Sequence, residues 1–306
     1  MGRVLLSLLL PALPALTALT AQSLTTAQVG NVTVVAAREE INAAMGLAEW
    51  ADQPAGWPGL GRRSPPPFRL ILAHDAAGLS RLTGGRAPAW GAGITLPGPR
   101  LVALRADADP ARTLRHELAH LVLHDAVRVP MPLWFEEGYA VYAAGEWDLL
   151  EALSLNYAVT AGSTPGLDSV NRALRGHPAG IGVAYALSAS AVLEVARRNP
   201  SRELTPLVER LAGGETFESA LQATTGLTPE NFDEAWQRGV RTRYSLFTWL
   251  AAGGAWAVLA LGLVAGTYWR RRADQRRRSA LDEGWELPPE PEMQAAQALD
   301  PTPFGE

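Results

Sequence analysis

Hydrophobic and polar positions along this chain follow two periods, and the shorter period is concentrated in the first third. Alternating or β-branched runs predict strands at Asn31–Val35, Phe68–Ala73, Gly91–Leu96 and Leu101–Leu104. Runs of helical composition predict helices, most of them after the last strand: Ala36–Ala51, Ala76–Leu82, a helix starting at Pro110, Pro132–Ala144, Leu149–Ala158, Ala184–Arg198, Leu204–Leu211, Phe217–Thr224 and Pro229–Ser245. Strands followed by helices indicate an α+β fold, with a small N-terminal mixed sheet packed on a helical core.

Several boundaries of these elements can be read from single residues. Asp109 before Pro110, and Thr216 and Thr228 before their helices, are residue types that cap a helix N-terminus. The Pro- and Gly-rich stretch 54–67 predicts a loop. In the helix before that loop, the larger apolar side chains are expected to contact the core: Ile41, Met45, Leu47 and Trp50.

Residues 1–21 have the organisation of a secretory leader. Arg3 supplies a positive start, and Val4–Leu10 is an apolar run too short to cross a bilayer. Small residues then lead to Ala21, the favoured end of the removed segment. The pattern predicts a signal peptide.

Residues 246–269 carry no charged side chain and form a stretch long enough for a helix to cross about 30 Å of hydrocarbon. Trp249, Tyr268 and Trp269 lie near its ends, where interfacial aromatic residues are common. A cluster of arginines follows: Arg270, Arg271, Arg272, Arg276, Arg277 and Arg278. We therefore predict one transmembrane helix at 246–269 and a protein anchored in the cell membrane.

Arginines beside a membrane span mark its cytoplasmic side. We therefore predict an extracytoplasmic domain at 22–245 and a cytoplasmic segment at 270–306. The cytoplasmic segment begins with the arginine cluster and ends in a Pro-rich, acidic tail that we expect to be disordered. Gly262 and Gly266 are spaced to let two membrane helices approach closely. Nothing else in the sequence supports a homo-oligomer.

Composition removes several kinds of chemistry, because the chain has no Cys and no Lys. Without Cys there is no disulfide scaffold, no Cys-ligated zinc, no iron–sulfur site and no cysteine nucleophile. Without Lys there is no Schiff base and no phosphate-loop lysine. The net charge of −4 gives no electrostatic reason to expect a nucleic acid partner.

The segment His116-Glu117-Leu118-Ala119-His120 has the form H-E-x-x-H on a predicted helix. Residues four apart share one helix face, so His116 and His120 can direct ring nitrogens at one metal ion. Glu117 lies about 100° around the helix, where it can reach a water at the metal and accept its proton. The surrounding residues are apolar, so this helix is expected to be buried, and a metal would satisfy its polar side chains.

A third ligand is required, since a catalytic zinc site keeps its fourth position for water. Glu136 and Glu137 lie on the next predicted helix, which can return beside the first after a turn through 129–132. They differ by about 100° in direction, so at most one should face the ion, and the pattern alone does not choose between them. His124 continues the i, i+4 series, but it lies about 12 Å along the axis from His116 and is not expected to be a ligand.

The combination of His-Glu-Leu-Ala-His with W-F-E-E-G-Y-A-x-Y resembles the gluzincins, zinc peptidases with H-E-x-x-H and a glutamate on the next helix. It is most similar to the aminopeptidase N-like pattern and to small peptidase-MA-like domains, over residues 68–144 and, more loosely, 184–236. The resemblance implies a zincin-like helical core, Zn²⁺ as cofactor and a peptide or protein substrate. It also implies that Glu137, directly before Gly138, is the third ligand, and that a later tyrosine, for which Tyr185 is the candidate, stabilises the oxyanion.

The sequence departs from the patterns that it resembles in two places. The aminopeptidases have an acidic motif that holds the free amine of the substrate, but residues 90–96 contain no acid. The aspartate that thermolysin-like enzymes have four residues after the third ligand is replaced by Val141. The absence of the acidic motif puts aminopeptidase specificity in doubt.

Three functions remain as hypotheses. The first is a membrane-anchored zinc metallopeptidase in which Glu117 activates water, with zinc held by His116, His120 and Glu137. The second is a non-catalytic, metal-stabilised ectodomain that acts as a binding or assembly module, against which the intact Glu117 argues. The third is a signalling anchor that depends on the arginine cluster and the tail, although topology already accounts for the arginines.

Overall fold

The computed structural model describes residues 24–146, 164–176, 180–244 and 254–282. The chain divides into two units, residues 1–246 and residues 247–306. The predicted leader 1–21, the predicted helix 149–158, residues 246–253 of the predicted span and the tail after residue 282 lie outside the described residues.

A five-stranded mixed sheet forms one layer of the first unit. Its strands are β1 (Leu24–Val29), β2 (Val32–Ala37), β5 (Phe68–Ala73), β6 (Gly93–Leu96) and β7 (Leu101–Arg105), and a separate hairpin joins β3 (Ala55–Trp57) to β4 (Gly61–Arg63). The spatial order in the sheet is β1-β2-β5-β7-β6, with β2, β5 and β7 parallel and with β1 and β6 antiparallel at the two edges. The predicted α+β class and the mixed N-terminal sheet are confirmed.

Both faces of this sheet are covered, because successive side chains of a strand point to opposite faces. In β5, Leu70 and Leu72 belong to the main core, whereas Ile71 and Ala73 pack in a smaller cluster with Leu79 on the other face. This explains why β5 is apolar along nearly its whole length, as is typical of a parallel strand inside a sheet.

Helices make up the rest of the described part of the first unit. They are α1 (Ile41–Ala51), α2 (Ala76–Leu82), α3 (Pro110–Ala126), α4 (Leu133–Ala144), α5 (Leu167–Leu174), α6 (Ile181–Arg198), α7 (Thr205–Ala212), α8 (Phe217–Thr225) and α9 (Pro229–Arg243). Helices α1 and α3 contact each other and the sheet, and α4 packs between α3 and α6. This packing places α3 and α4 side by side in the middle of the domain.

The predicted capping residues are confirmed. The side chains of Asp109, Thr216 and Thr228 accept hydrogen bonds from the first turns of α3, α8 and α9. Each satisfies a main-chain N–H that the helix itself leaves without a partner. The start of α3, the helix that carries the histidines, is therefore defined locally by its sequence.

Other predictions in the N-terminal region are wrong. The stretch 54–67 holds the β3–β4 hairpin, and β1 was not predicted at all. Helix α1 begins at Ile41 instead of residue 36, and it buries the small residues Ala44, Ala48 and Ala51. Trp50 is 49% exposed and does not belong to the core. Ile41 and Leu47 are partly buried and pack against the core, as predicted, whereas the fully buried positions of α1 are the alanines, which allow close packing against the sheet.

In the second unit, helix α10 (Ala255–Asp282) covers residues 255–269 of the predicted span and the arginines that follow. Across the ranges that the structure describes, no helix combines the length and the hydropathy that crossing a membrane requires.

Candidate metal centre

Helix α3 presents its two histidines on the side that faces away from the core. Leu114, Leu118 and Leu121 on the opposite side are buried, and this burial sets the rotation of the helix. His116 and His120 then lie one turn apart with their ring centroids 5.1 Å from each other. The i, i+4 spacing of the two histidines therefore directs both imidazoles at the same point.

Helix α4 brings a carboxylate to the same point. Oε2 of Glu137 lies 3.5 Å from Nε2 of His116 and 3.5 Å from Nε2 of His120. The ligating atoms of these three residues all lie within 4.8 Å of one another. Ligands held at about 2.0–2.1 Å around a tetrahedral ion are roughly 3.3 Å apart, so the donor set and its spacing fit a zinc-sized ion.

The structure also shows which of the two adjacent glutamates faces the imidazoles, a choice that the sequence pattern left open. Glu137 faces the imidazoles, while Oε1 of Glu136 lies 3.6 Å from Nε2 of His124. The helical rotation between neighbouring residues accounts for this difference. His124 is thus paired with a residue outside the three-residue cluster.

Contacts of α4 with several neighbouring helices fix the direction of Glu137. Trp134 stacks on Phe232 and meets Phe217 edge-on, and its main-chain N–H donates to Asn171. On the far side, a Cβ at Gly138 would lie 2.4 Å from the main-chain oxygen of Ser188 on α6. The residue after Glu137 therefore has to be glycine for α4 and α6 to approach this closely.

Glu117 is buried beside the cluster and contacts the edge strand β6. The hydroxyl of Thr95 lies 2.7 Å from Oε2 of Glu117 and 2.8 Å from its main-chain oxygen. A Cβ at Gly93 would lie 3.1 Å from Cγ of Glu117, so the strand passes close to this side chain. Burial raises the pKa of Glu117 above its ordinary value, although the charges of His116 and His120 act to lower it. A raised carboxyl pKa suits a group that must both accept and return a proton near neutral pH.

The charges of the cluster stabilise one another. Burial acts to lower the pKa of His116, but hydrogen bonds to Glu137 and Glu146 outweigh burial and raise it to about 10. Burial acts in the opposite sense on Glu137, yet the charge of His120 and the bonds to both imidazoles bring the pKa of this carboxyl below its ordinary value. The site therefore strongly favours a positive charge between the carboxylate and the rings, which a bound cation would also supply.

Tyr185 lies on α6 at the wall of the same site. Its ring centroid is 6.1 Å from that of His116, in an edge-to-face arrangement. Burial, followed by the negative charge of Glu137, raises the pKa of Tyr185, so its hydroxyl stays protonated and can donate a hydrogen bond. By contrast, Tyr139 is fully buried, donates to the main-chain oxygen of Pro58 and serves packing.

Two further residues at the site, Glu146 and Thr95, were not predicted. Oε2 of Glu146 lies 3.0 Å from Nδ1 of His116, on the ring nitrogen that faces away from Glu137. Its other oxygen lies 3.7 Å from Nε of Arg112. The only signal in the sequence is an acid directly after Gly145, which says nothing about a return to α3. Thr95 was missed because no local pattern predicts its contact with Glu117, which lies on a different element.

These residues line a cleft of about 800 Å³. Strand β6 and the loop before it form one wall, with Trp90, Gly91 and Ile94. Arg175, Gly182 and Tyr185 also line the cleft. The cleft is open beside the cluster of His116, His120 and Glu137 and has the volume of several amino-acid residues.

Comparison with known protein families identifies the family that this part of the chain matches. Residues 88–242 match the family model described as Peptidase MA superfamily. The matched region contains the three clustered residues, Glu117, Glu146 and Tyr185. A search of curated proteins found no match.

Proposed function

The chain belongs to the Peptidase MA superfamily, and on this premise we propose that it is a membrane-anchored, zinc-dependent peptidase of the gluzincin type. Family membership accounts for the zincin-like fold and for a metallopeptidase-like function at the general level. The observation that carries the finer proposal is the position of Glu137, 3.5 Å from Nε2 of both His116 and His120 and next to the buried Glu117. A purely structural metal site would have no use for a carboxylate in the position of Glu117.

Zinc held by His116, His120 and Glu137 would supply a Lewis acid that polarises the peptide carbonyl and acidifies a nearby water. Glu117 takes a proton from that water while the water oxygen forms its bond to the carbonyl carbon. When the C–N bond breaks, Glu117 returns this proton to the leaving nitrogen. Thr95 holds the carboxylate of Glu117 in place during both transfers.

Tyr185 and β6 would act on the substrate itself. The protonated hydroxyl of Tyr185 donates to the carbonyl oxygen as negative charge develops on it. Among the described strands, β6 pairs only with β7, and it lines the cleft, so its other edge can pair with the main chain of an extended peptide. The substrate is therefore a peptide or an extended segment of a protein.

The catalytic part of the proposal is tested with the purified full-length chain in detergent. Zinc content and cleavage of a mixed peptide library are measured for Glu117→Gln, His116→Ala and, as a control, Glu218→Gln at an exposed position of α8. We expect Glu117→Gln to keep zinc and lose cleavage, His116→Ala to lose both, and the control to lose neither. Unmutated protein that holds zinc but cuts no peptide would instead favour a metal-stabilised binding or assembly module.

The location of the domain is part of the same proposal. A leader at 1–21, an uncharged stretch at 246–269 and the arginines that follow it support export of residues 22–245 and retention of residues 270–306 in the cytoplasm. In α10, Leu261 and Leu263 are about 70% exposed, a surface that a lipid bilayer would cover. The active site would then face the extracytoplasmic side.

A further inference from the structure

The two ring nitrogens of His116 face two different glutamates of the same chain segment. Nε2 lies 3.5 Å from Oε2 of Glu137, and Nδ1 lies 3.0 Å from Oε2 of Glu146. The side chains of His116 and Glu146 are 14% and 16% exposed, so water competes little for this contact. One face of the imidazole is therefore directed at the metal position and the other is held by a carboxylate.

This arrangement would select one tautomer of His116 when a metal is bound to Nε2. A histidine that ligates a metal through Nε2 must carry its proton on Nδ1, where it can donate to a carboxylate. A carboxylate in that place fixes the tautomer, restricts rotation of the ring and makes the ligating nitrogen more basic. Glu146 has the distance and the direction for this role.

The C-terminal end of α4 sets the main-chain position of Glu146. Helix α4 ends at Ala144 and is capped by Gly145, which adopts a left-handed conformation with φ +71°. The main-chain N–H of Glu146 then donates to the carbonyl oxygen of Val141 at 3.0 Å, which ties the residue back onto the last turn of α4. Helix α4 thus supplies Glu137 from its middle and Glu146 from just beyond its end, and His116 is held between the two.

We propose that Glu146 is a positioning residue that orients His116 as a metal ligand through a hydrogen bond to Nδ1. The inference rests on the proposed function, since it assumes that His116 binds zinc through Nε2. Arg112, one turn before His116 on α3, lies 3.7 Å from the other oxygen of Glu146 and is 55% exposed. Its contribution is a weak, solvent-screened attraction, so the bond to His116 carries the effect.

The test measures the zinc affinity of the full-length chain in detergent by competition with a chromophoric chelator. Glu146→Gln keeps an acceptor oxygen but loses the charge, and Glu146→Ala loses both. Removing such a partner typically weakens metal binding by roughly 10- to 100-fold. We expect a loss at the lower end of this range for glutamine and at the upper end for alanine. The visible spectrum of the Co²⁺-substituted protein should change in both variants.

A matched control is available in the chain. Glu40 lies 2.6 Å from Nδ1 of His74, a second histidine–glutamate pair, which is not among the residues lining the cleft. Glu40→Gln makes the same chemical change there and should leave zinc affinity and the Co²⁺ spectrum unchanged. Thermal unfolding of each metal-free variant shows whether it is folded, and Glu146→Gln alone decides the question if Glu146→Ala does not fold.

The possible failures are distinguishable. Unchanged zinc affinity and an unchanged Co²⁺ spectrum in Glu146→Gln would overturn the positioning role while leaving the metal site intact. Equal losses in the glutamine and alanine variants would show that only the charge matters, and would also overturn the hydrogen-bond proposal. If the unmutated chain binds no zinc, the proposed function fails together with this inference.

Discussion

At the scale of single residues, the site depends on which of two adjacent glutamates faces the imidazoles. Glu137 is directed at His116 and His120, and Glu136 at His124, because one helical step rotates a side chain by about 100°. The two residues have the same chemistry and nearly the same burial. They therefore form an internal comparison for the proposed ligand set.

Glu137→Gln is expected to abolish stoichiometric zinc binding, because a neutral amide replaces the carboxylate ligand. Glu136→Gln should leave zinc content unchanged. Metal analysis of the two purified variants, in parallel with the unmutated chain, checks this. Zinc lost from the Glu136 variant and kept by the Glu137 variant would reverse the assignment.

Tyr185→Phe tests the hydroxyl on α6. We expect kcat to fall by about 100-fold, with KM and zinc content little changed, because an oxyanion donor acts mainly in the transition state. Tyr142→Phe is the control, since Tyr142 is a partly buried tyrosine that packs on the main core. Steady-state kinetics on one peptide substrate give the comparison, and equal effects in both variants would argue against the assignment.

At the scale of elements, the proposed metal site depends on how closely α4 approaches α6. The contact is made by the main chain of Gly138 against Ser188, with Val192 beside it. Tyr185 lies one turn before Ser188 on the same helix, so the spacing of the two helices also sets the position of this tyrosine. A glycine in a helix interior is unfavourable by itself, and here the close approach explains it.

Gly138→Ala is therefore expected to destabilise the domain by about 1–3 kcal/mol through overpacking. Gly46→Ala is the matched control, because Gly46 is also helical and a Cβ there would have no neighbour within 4 Å. That variant should gain roughly 0.5–1 kcal/mol from the better helix propensity of alanine. Urea unfolding measures both changes, and a stable Gly138→Ala variant would show that the helices can separate freely.

The elements themselves were predicted with unequal success. The α3–turn–α4 unit was predicted closely because apolar periodicity, the Asp109 cap and the prolines at 130 and 132 all agree. Strand β1 and the β3–β4 hairpin were missed, because they are short and make their hydrogen bonds with other segments of the chain. Strand formation there depends on a partner, which local composition does not reveal.

At the scale of the whole molecule, the proposed arrangement is an exported catalytic domain joined to a membrane segment and a short cytoplasmic end. The sequence features that support this proposed topology are the predicted leader at 1–21, the uncharged stretch 246–269 and the arginines after it. The absence of Cys makes the topology simple to measure, since a single introduced cysteine has no competitor.

Asn42→Cys, exposed on α1, should react with a membrane-impermeant maleimide in intact cells. Ala298→Cys, in the proposed cytoplasmic tail, should react only after the membrane is permeabilised. The unmutated chain is the background control. Labelling of both positions, or of neither, in intact cells would contradict the proposed topology.

The sequence by itself determined the α+β class, the main helices and the set of candidate ligands. These features depend on local periodicity, on capping residues and on the one-turn spacing of His116 and His120. The tertiary structure decided what depends on helix rotation and on chain segments that meet only after folding. It directed Glu137 rather than Glu136 at the rings, placed Thr95 on Glu117 and returned Glu146 to the far side of His116. Such contacts join residues on different elements, so they cannot be predicted from the spacing of residues along one element.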